Sequence, residues 1–139
     1  MRVFLDTNVL VSAFATRGLC ADLFRHILAE HNLITGEVII LDLRRVLRDK
    51  MNVPAAMIAA VELALRDHEV VPRPAKPHPL PIRDSADRWV LASAVAGKAD
   101  VLVTGDSDVL DVAARAPLTI MDPRGFWDLI RGGSGIQEK

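Results

Sequence analysis

Cysteine and long apolar runs are nearly absent from this chain of 139 residues, and each scarcity excludes a class of protein. The single cysteine, Cys20, has no partner, which excludes a disulfide scaffold and disfavours a Cys-based zinc or iron–sulfur site. The longest apolar run, Ala55 to Val61, has seven residues, whereas a membrane-spanning helix needs about 18. Asp6-Thr7-Asn8 interrupts the first apolar stretch, so no signal peptide is expected. We therefore expect a soluble protein of the cytoplasm with no membrane partner.

The chain also has no large excess of either sign of charge. It holds 17 lysines and arginines and 18 aspartates and glutamates, which gives a net charge of −1. A nucleic-acid binder that works through bulk charge is therefore disfavoured. Residues 44–88 nevertheless hold nine basic against six acidic side chains. The basic residues in and beside this stretch are either solvated surface or a guide for a phosphate backbone. They are Arg44, Arg45, Arg48, Arg73, Lys76, Arg83 and Arg88.

Aromatic side chains are few, with four phenylalanines, two tryptophans and no tyrosine. Unpaired bases are usually recognised by stacking on aromatic rings, and most of these side chains fit a hydrophobic core. The sequence therefore predicts no surface for base-specific recognition.

Short β-forming runs alternate with amphipathic helical segments along the chain. The patterns predict strands over residues 2–5, 32–35, 100–104 and 118–121, and helices over residues 18–30, 37–50, 55–68, 86–96 and 125–130. Five of the eight prolines lie between residues 72 and 81, which predicts an extended surface connection. The alternation predicts an α/β sandwich around a mostly parallel sheet. We expect one domain over residues 1–131 and a flexible tail over residues 132–139.

Acidic side chains follow the predicted strands or open the helices after them. Asp6 follows the first strand, Asp106 and Asp108 follow the strand at 100–104, and Asp84 and Asp87 open the helix at 86–96. The carboxyl ends of parallel strands meet at one edge of a sheet, so these acids should converge there. Each one alone suits a helix N-cap, but independent caps need not share an edge. Asp42, on the helix after the second strand, can join the group from one side.

Converging carboxylates need a counterion. Four of them about 5 Å apart repel one another by about 20 kcal/mol at an effective dielectric near 20, which exceeds the stability of a typical domain. Either some are protonated or a cation lies among them, and oxygen-only ligands suit Mg²⁺ or Mn²⁺. Such an ion is the usual apparatus of phosphodiester hydrolysis, because it activates a bound water molecule.

Four short segments combine these acids with characteristic neighbours. They are Val3-Phe4-Leu5-Asp6-Thr7-Asn8-Val9-Leu10, then Thr35-Gly36-Glu37 with Leu41-Asp42-Leu43, then Asp87-Arg88-Trp89-Val90-Leu91-Ala92-Ser93-Ala94, and last Val103-Thr104-Gly105-Asp106-Ser107-Asp108. Together, in this order, they resemble the motifs of the PIN-domain family, and most closely the toxin components of bacterial toxin–antitoxin pairs.

The resemblance implies a three-layer α/β/α fold and a Mg²⁺- or Mn²⁺-dependent endoribonuclease that is frequently a homodimer. It also implies a small antitoxin protein that blocks the acidic cleft. In this interpretation the catalytic acids are Asp6, Asp42, Asp87 and Asp106, with Asp6, Asp87 and Asp106 as direct metal ligands. The residues that orient ligands or water are Thr7, Asn8 and Thr104, with Asp108 as an outer member of the site.

Two positions depart from the family pattern. Asp42 stands where the family usually has Glu, and Gly36 replaces a Ser. Glu37 is a rival to Asp42, but five residues at roughly 100° each place the two about 140° apart on a helix, so only one can face the ion. The spacing favours Asp42. The departures also motivate an alternative, a catalytically weakened PIN module that acts through RNA or protein binding.

A phosphotransferase of the haloacid-dehalogenase type is another alternative, because that group also begins with a strand followed by Asp. Its second Asp, two residues later, is Asn8 in this chain. The sequence therefore disfavours this class.

Overall fold

A parallel sheet of five strands forms the centre of the computed structural model, which describes the backbone of residues 1–137 and the side chains of residues 1–132. The strands are β1 (Arg2–Leu5), β2 (Asn32–Gly36), β3 (Glu69–Val71), β4 (Val101–Val103) and β5 (Thr119–Met121). Their order across the sheet is β3-β2-β1-β4-β5, and every neighbouring pair is parallel. The predicted α/β class with a mostly parallel sheet is confirmed.

Helices connect the strands on both faces of this sheet. They are α1 (Thr7–Ala15), α2 (Leu19–Glu30), α3 (Glu37–Asp49), α4 (Ala55–Arg66), α5 (Ser85–Ala96), α6 (Ser107–Leu110) and α7 (Pro123–Gln137), with a 3₁₀ turn at Ala113–Arg115. The chain steps from β1 to β3 in one direction and then crosses back to β4 and β5. Right-handed crossovers therefore put α5 on the face opposite to α1–α4, which gives three layers. Among the helices of residues 1–137, none is both long and apolar enough to cross a bilayer.

The central strand β1 fixes the geometry of the carboxyl edge. Phe4 pairs with Ile34 of β2 and with Leu102 of β4, and all three side chains are at most 1% exposed. Both faces of β1 are buried, as expected for a sheet covered on two sides. Leu5 is in register with Val103, and the N–H of Asp6 donates to the Val103 carbonyl at 3.0 Å. The residues that follow β1 and β4 are therefore neighbours at one edge.

Several elements differ from the sequence prediction. Strand β3 was not predicted, because it has three residues and runs directly into the proline segment. No range was predicted for the helices α1 and α6, although Asp6 and Asp106 suit the N-cap positions that they occupy. Helix α7 starts at Pro123 and continues past Ile130 to Gln137, although the glycines at 132, 133 and 135 are residues that often end a helix. The predicted tail thus begins inside α7; residues 138–139 lie outside the described residues, and the flexibility of 132–139 stays a prediction.

Candidate active site

Asp6 lies at the carboxyl end of β1, where it caps α1 and is 4% exposed. Its Oδ1 accepts a hydrogen bond from the N–H of Thr7 at 2.8 Å, and its Oδ2 accepts one from the hydroxyl of Thr104 at 2.8 Å. Burial raises the pKa of Asp6; the two hydrogen bonds oppose this rise, and the charges of Asp106 and Asp42 add to it. The carboxyl group is therefore held rigidly in an environment that disfavours its negative charge.

A second set of hydrogen bonds joins the loop after β4 to the start of α1. The Thr104 hydroxyl accepts from the N–H of Asp106 at 3.0 Å, and the Asn8 side-chain oxygen accepts from the N–H of Gly105 at 2.8 Å. A Cβ at Gly105 would lie 3.3 Å from that Asn8 oxygen, so glycine permits the close approach. Thr7 contributes its backbone N–H, while its buried hydroxyl has no hydrogen-bond partner among the described residues.

Asp87 enters the same edge from the first turn of α5. Asp84 caps this helix, accepting from the N–H of Ala86 at 3.0 Å, and lies exposed. Asp87 is only 8% exposed, and its Oδ2 has no hydrogen-bond partner among the described residues. Burial, followed by the negative charges of Asp106 and Asp6, raises the pKa of Asp87 to about 8. A buried carboxyl oxygen without a partner is costly, so the site favours a proton or a cation there.

Three carboxylates are close enough to share one ion. Asp87, Asp106 and Asp108 offer oxygens that lie within 4.8 Å of one another. Asp106 caps α6, where its Oδ1 accepts from the N–H of Asp108 at 2.9 Å. This oxygen-only set suits a hard dication such as Mg²⁺ or Mn²⁺.

The group of three differs from the set predicted as metal ligands, because it contains Asp108 in place of Asp6. The sequence placed Asp108 as an outer member of the site. In the structure, the N-terminal turn of α6 turns Asp108 back toward Asp106, whereas both oxygens of Asp6 accept hydrogen bonds. Direct ligation by Asp6 stays a prediction.

Asp42 and Glu37 point away from each other on α3. Asp42 is half-buried, lines the same cavity as Asp6 and Asp87, and forms an ion pair with Arg45 at 2.6 Å. Glu37 instead forms two hydrogen bonds with Arg66 of α4, at 2.7 and 2.8 Å, and this arginine lowers the pKa of Glu37. Of the two, Asp42 is therefore the one that lines the cavity with Asp6 and Asp87, and its catalytic role stays a prediction.

Three of the acids, Asp6, Asp42 and Asp87, contribute to the wall of a cavity of about 320 Å³. Its full lining is Asp6, Val38, Leu41, Asp42, Arg45, Arg73, Ala86, Asp87, Trp89 and Val90. Of the basic residues predicted to guide a phosphate backbone, Arg45 and Arg73 line it. Arg44 and Arg48 are instead paired with carboxylates, and Arg88 donates to the His78 carbonyl.

Sequence reasoning missed Trp89 as part of a site, and it did not predict that Arg73 stacks on this ring. The guanidinium carbon of Arg73 lies 4.2 Å from the centre of the Trp89 ring. Trp89 was assigned to the core because aromatic residues usually pack there. Its position two residues after Asp87 was the available signal, and the chain path that brings Arg73 over it is not visible in the sequence.

Comparison with known proteins agrees with this architecture. A model of the PIN domain family matches residues 2–108, which include all the acids described above. The chain belongs to the PIN domain family. The resemblance seen in the four sequence segments is thereby confirmed, whereas a search of curated proteins finds no match.

Solved structures with the same PIN fold have little sequence in common with the chain. VapBC2 from Rickettsia felis, bound to a promoter DNA fragment, matches with a TM-score of 0.63 and 17% identity over 88% of this chain and 98% of that chain. VapBC-1 from nontypeable Haemophilus influenzae matches with a TM-score of 0.62 and 20% identity, over 89% of this chain and 99% of that chain. FitAcB from Neisseria gonorrhoeae matches with a TM-score of 0.57 and 15% identity, over 87% of this chain and 97% of that chain. At these identities the likeness concerns the fold.

Proposed function

We propose that this PIN domain is a Mg²⁺- or Mn²⁺-dependent endoribonuclease that hydrolyses RNA phosphodiester bonds. The observation that carries the proposal is the buried Oδ2 of Asp87, which has no hydrogen-bond partner within the described part of the chain, in a carboxyl group whose pKa is raised to about 8 next to Asp106. Burying such a group costs stability unless a proton or a cation compensates it, and carboxyl groups with strongly raised pKa values cluster at functional sites. Membership of the PIN domain family supports the same conclusion.

The carboxylates fit a hard dication. Asp87, Asp106 and Asp108 would hold it, with Asp6 beside them. A bound dication lowers the pKa of a water molecule and stabilises the charge that develops on a phosphate during hydrolysis. Thr104 fixes the orientation of Asp6 and the backbone of Asp106 through one hydroxyl, so these carboxyl groups need little rearrangement when RNA binds.

Asp42 faces the substrate from the α3 side of the cavity. It is not one of the three carboxylates that could share an ion, so we assign it to positioning a water molecule or the substrate beside that ion. Arg45 pairs with Asp42 and supplies a positive charge for a neighbouring phosphate.

The proposal extends to a role as the toxin of a toxin–antitoxin pair, acting in the cytoplasm on cellular RNA. Two findings support it: the four motifs resemble those of such toxins, and the similar structures are VapBC and FitAcB, which are toxin–antitoxin complexes. A small antitoxin protein would then cover the acidic cavity. Expression of the chain alone should arrest bacterial growth, and Asp87→Asn should abolish the arrest; growth unaffected by the parent chain would contradict the toxin role.

A second copy of the chain is the other expected partner. Met57 and Leu63 of α4 are 59% and 69% exposed, which leaves an apolar face to cover. Light scattering after size exclusion should give a dimer, and Leu63→Lys should shift it to a monomer. A parent protein that is monomeric at micromolar concentration would contradict this part of the proposal.

Cleavage assays test the enzyme directly. Protein treated with EDTA should leave single-stranded RNA intact, and Mg²⁺ or Mn²⁺ should restore cleavage. Asp6→Asn and Asp87→Asn should each reduce the rate at least about 100-fold. Asp84→Asn is the matched control, because Asn also caps helices and Asp84 lies outside the cavity. Equal cleavage by all variants would contradict the proposal.

A binding module without turnover is the second candidate, and the ion pair between Asp42 and Arg45 favours it. Arg45 partly neutralises a carboxylate that is already shorter than the usual Glu. Protein that binds RNA but never cuts it with either ion would favour this alternative.

A further inference from the structure

The acids leave most of the cavity wall unexplained. The remaining lining consists of apolar side chains and two arginines, and the volume of about 320 Å³ lies at the lower end of the range for small-ligand pockets, roughly 300–1,000 Å³. One nucleotide unit is a ligand of suitable size, and its phosphate could reach the acids while its base lies against the apolar wall.

Arg73 and Trp89 form a stacked pair in this wall, which we call the Arg73–Trp89 platform. Their contact distance of 4.2 Å is that of a cation over an aromatic ring. Arg45 is paired with Asp42, but Arg73 forms no ion pair with any carboxylate among residues 1–132. The pair therefore presents a flat surface and a positive charge that no acidic side chain of the described protein neutralises.

The proline segment holds this platform in place. Pro72 and Pro74 flank Arg73 and restrict its backbone. Further along, the N–H of His78 donates to the Arg88 carbonyl at 2.9 Å, and the Arg88 side chain donates to the His78 carbonyl at 2.7 Å. These reciprocal bonds tie the segment to α5, the helix that carries Asp87 and Trp89. The backbone on both sides of the platform is thus held near the acids before any ligand binds, which lowers the cost of ordering it on binding.

We propose that the Arg73–Trp89 platform stacks the base of an unpaired RNA nucleotide next to the phosphate that is cleaved. This inference rests on the proposed ribonuclease function. A base inside a duplex has both faces covered by its neighbours and cannot stack on a side chain, so the platform selects single-stranded or looped RNA. Every base has a π face, so little preference for one base is expected at this nucleotide.

Fluorescence of Trp89 tests the platform. Trp127→Phe removes the other tryptophan of the chain, so the remaining signal comes from Trp89. We would titrate this protein, in Ca²⁺ to slow cleavage, with a ten-nucleotide single-stranded RNA, the same backbone with abasic riboses, and a duplex. The single strand should quench the fluorescence, whereas the abasic strand and the duplex should not.

Binding variants provide the second readout, by anisotropy of labelled RNA. Trp89→Leu and Arg73→Ala should weaken single-strand binding about 10- to 100-fold, the usual loss when one stacking surface is removed, and Trp89→Phe should retain most of the affinity. Arg115→Ala, at an exposed arginine outside the cavity, is the matched control and should bind like the parent. Arg73→Ala changes an exposed side chain, so it decides the question if Trp89→Leu fails to fold.

The outcomes separate the two proposals. Equal RNA binding by the parent, Trp89→Leu and Arg73→Ala overturns the platform, while cleavage that needs Asp87 would still support the ribonuclease. Binding that depends on Trp89 without any cleavage supports the platform and contradicts the ribonuclease. Quenching by a duplex as strong as by a single strand, or by a basic peptide and not by RNA, overturns the platform in favour of another ligand.

Discussion

One hydroxyl group, that of Thr104, connects the two halves of the acidic site. It donates to Asp6 after β1 and accepts from the backbone of Asp106 after β4. The first contact, at 2.8 Å, is buried, and the second, at 3.0 Å, is partly buried; the Thr104 side chain itself is fully buried. The relative position of the two acids therefore depends on a residue that carries no charge and would not ligate the metal.

Replacing this hydroxyl by a methyl group should disturb both contacts while keeping the shape of the side chain. We expect Thr104→Val to lower the free energy of unfolding by about 1–3 kcal/mol, because the buried Asp6 carboxylate and the partly buried N–H of Asp106 lose this hydrogen-bond partner. Cleavage should fall at least about tenfold. Urea denaturation and RNA cleavage measure the two effects. Thr119→Val, at an exposed position of β5, is the control; an equal effect of both substitutions would contradict this role.

Asp87 should make the metal-free protein less stable as the pH rises. Its pKa is about 8 in the folded chain and near 3.8 in the unfolded chain, so folding favours the protonated form. The contribution of this group to the free energy of unfolding is complete below about pH 4 and is lost between pH 4 and 8. Over that range the free energy of unfolding falls by at most about 1.4 kcal/mol per pH unit. The Asp87→Asn side chain does not titrate, so this variant does not lose stability in the same way as the pH rises. In EDTA its melting temperature should therefore exceed that of the parent by more at pH 8 than at pH 5. A difference independent of pH would contradict the raised pKa.

At the scale of elements, α3 carries two acids with different partners. Glu37 joins α3 to Arg66 of α4, whereas Asp42 faces the cavity. The helical spacing predicted that only one of them could join the acids, and this required no tertiary information. Strand β3, which the sequence did not predict, does require tertiary information. It has only three residues, and its pairing with β2 is what makes it a strand.

Parallel substitutions separate these roles. Asp42→Asn should reduce cleavage at least about tenfold with little change in stability. Glu37→Gln should leave cleavage unchanged and lower the free energy of unfolding by about 0.2–1 kcal/mol, since its ion pair is partly exposed. Rates and denaturation curves of the two variants give the comparison. Loss of cleavage in Glu37→Gln alone would contradict the assignment.

At the scale of the whole molecule, the order of the sheet creates the site. Crossing from β3 back to β4 places the ends of β1 and β4 side by side, which brings Asp6 next to Thr104 and Asp106 across almost 100 residues of chain. The sequence predicted this convergence because acids after parallel strands share an edge. It did not predict Asp108 within the closest group, since that depends on the short turn of α6, nor the stacking of Arg73 on Trp89, which depends on the path of the proline segment.

The central claim is that Asp87, Asp106 and Asp108 hold one hard dication at this edge. Diffraction from a crystal soaked in Mn²⁺, collected at a wavelength where manganese scatters anomalously, tests it most directly. The account predicts an anomalous peak within about 2.0–2.3 Å of oxygens from Asp87 and Asp106, and loss of that peak in Asp87→Asn. A well-diffracting crystal with no peak there, or with manganese bound only elsewhere, would contradict it.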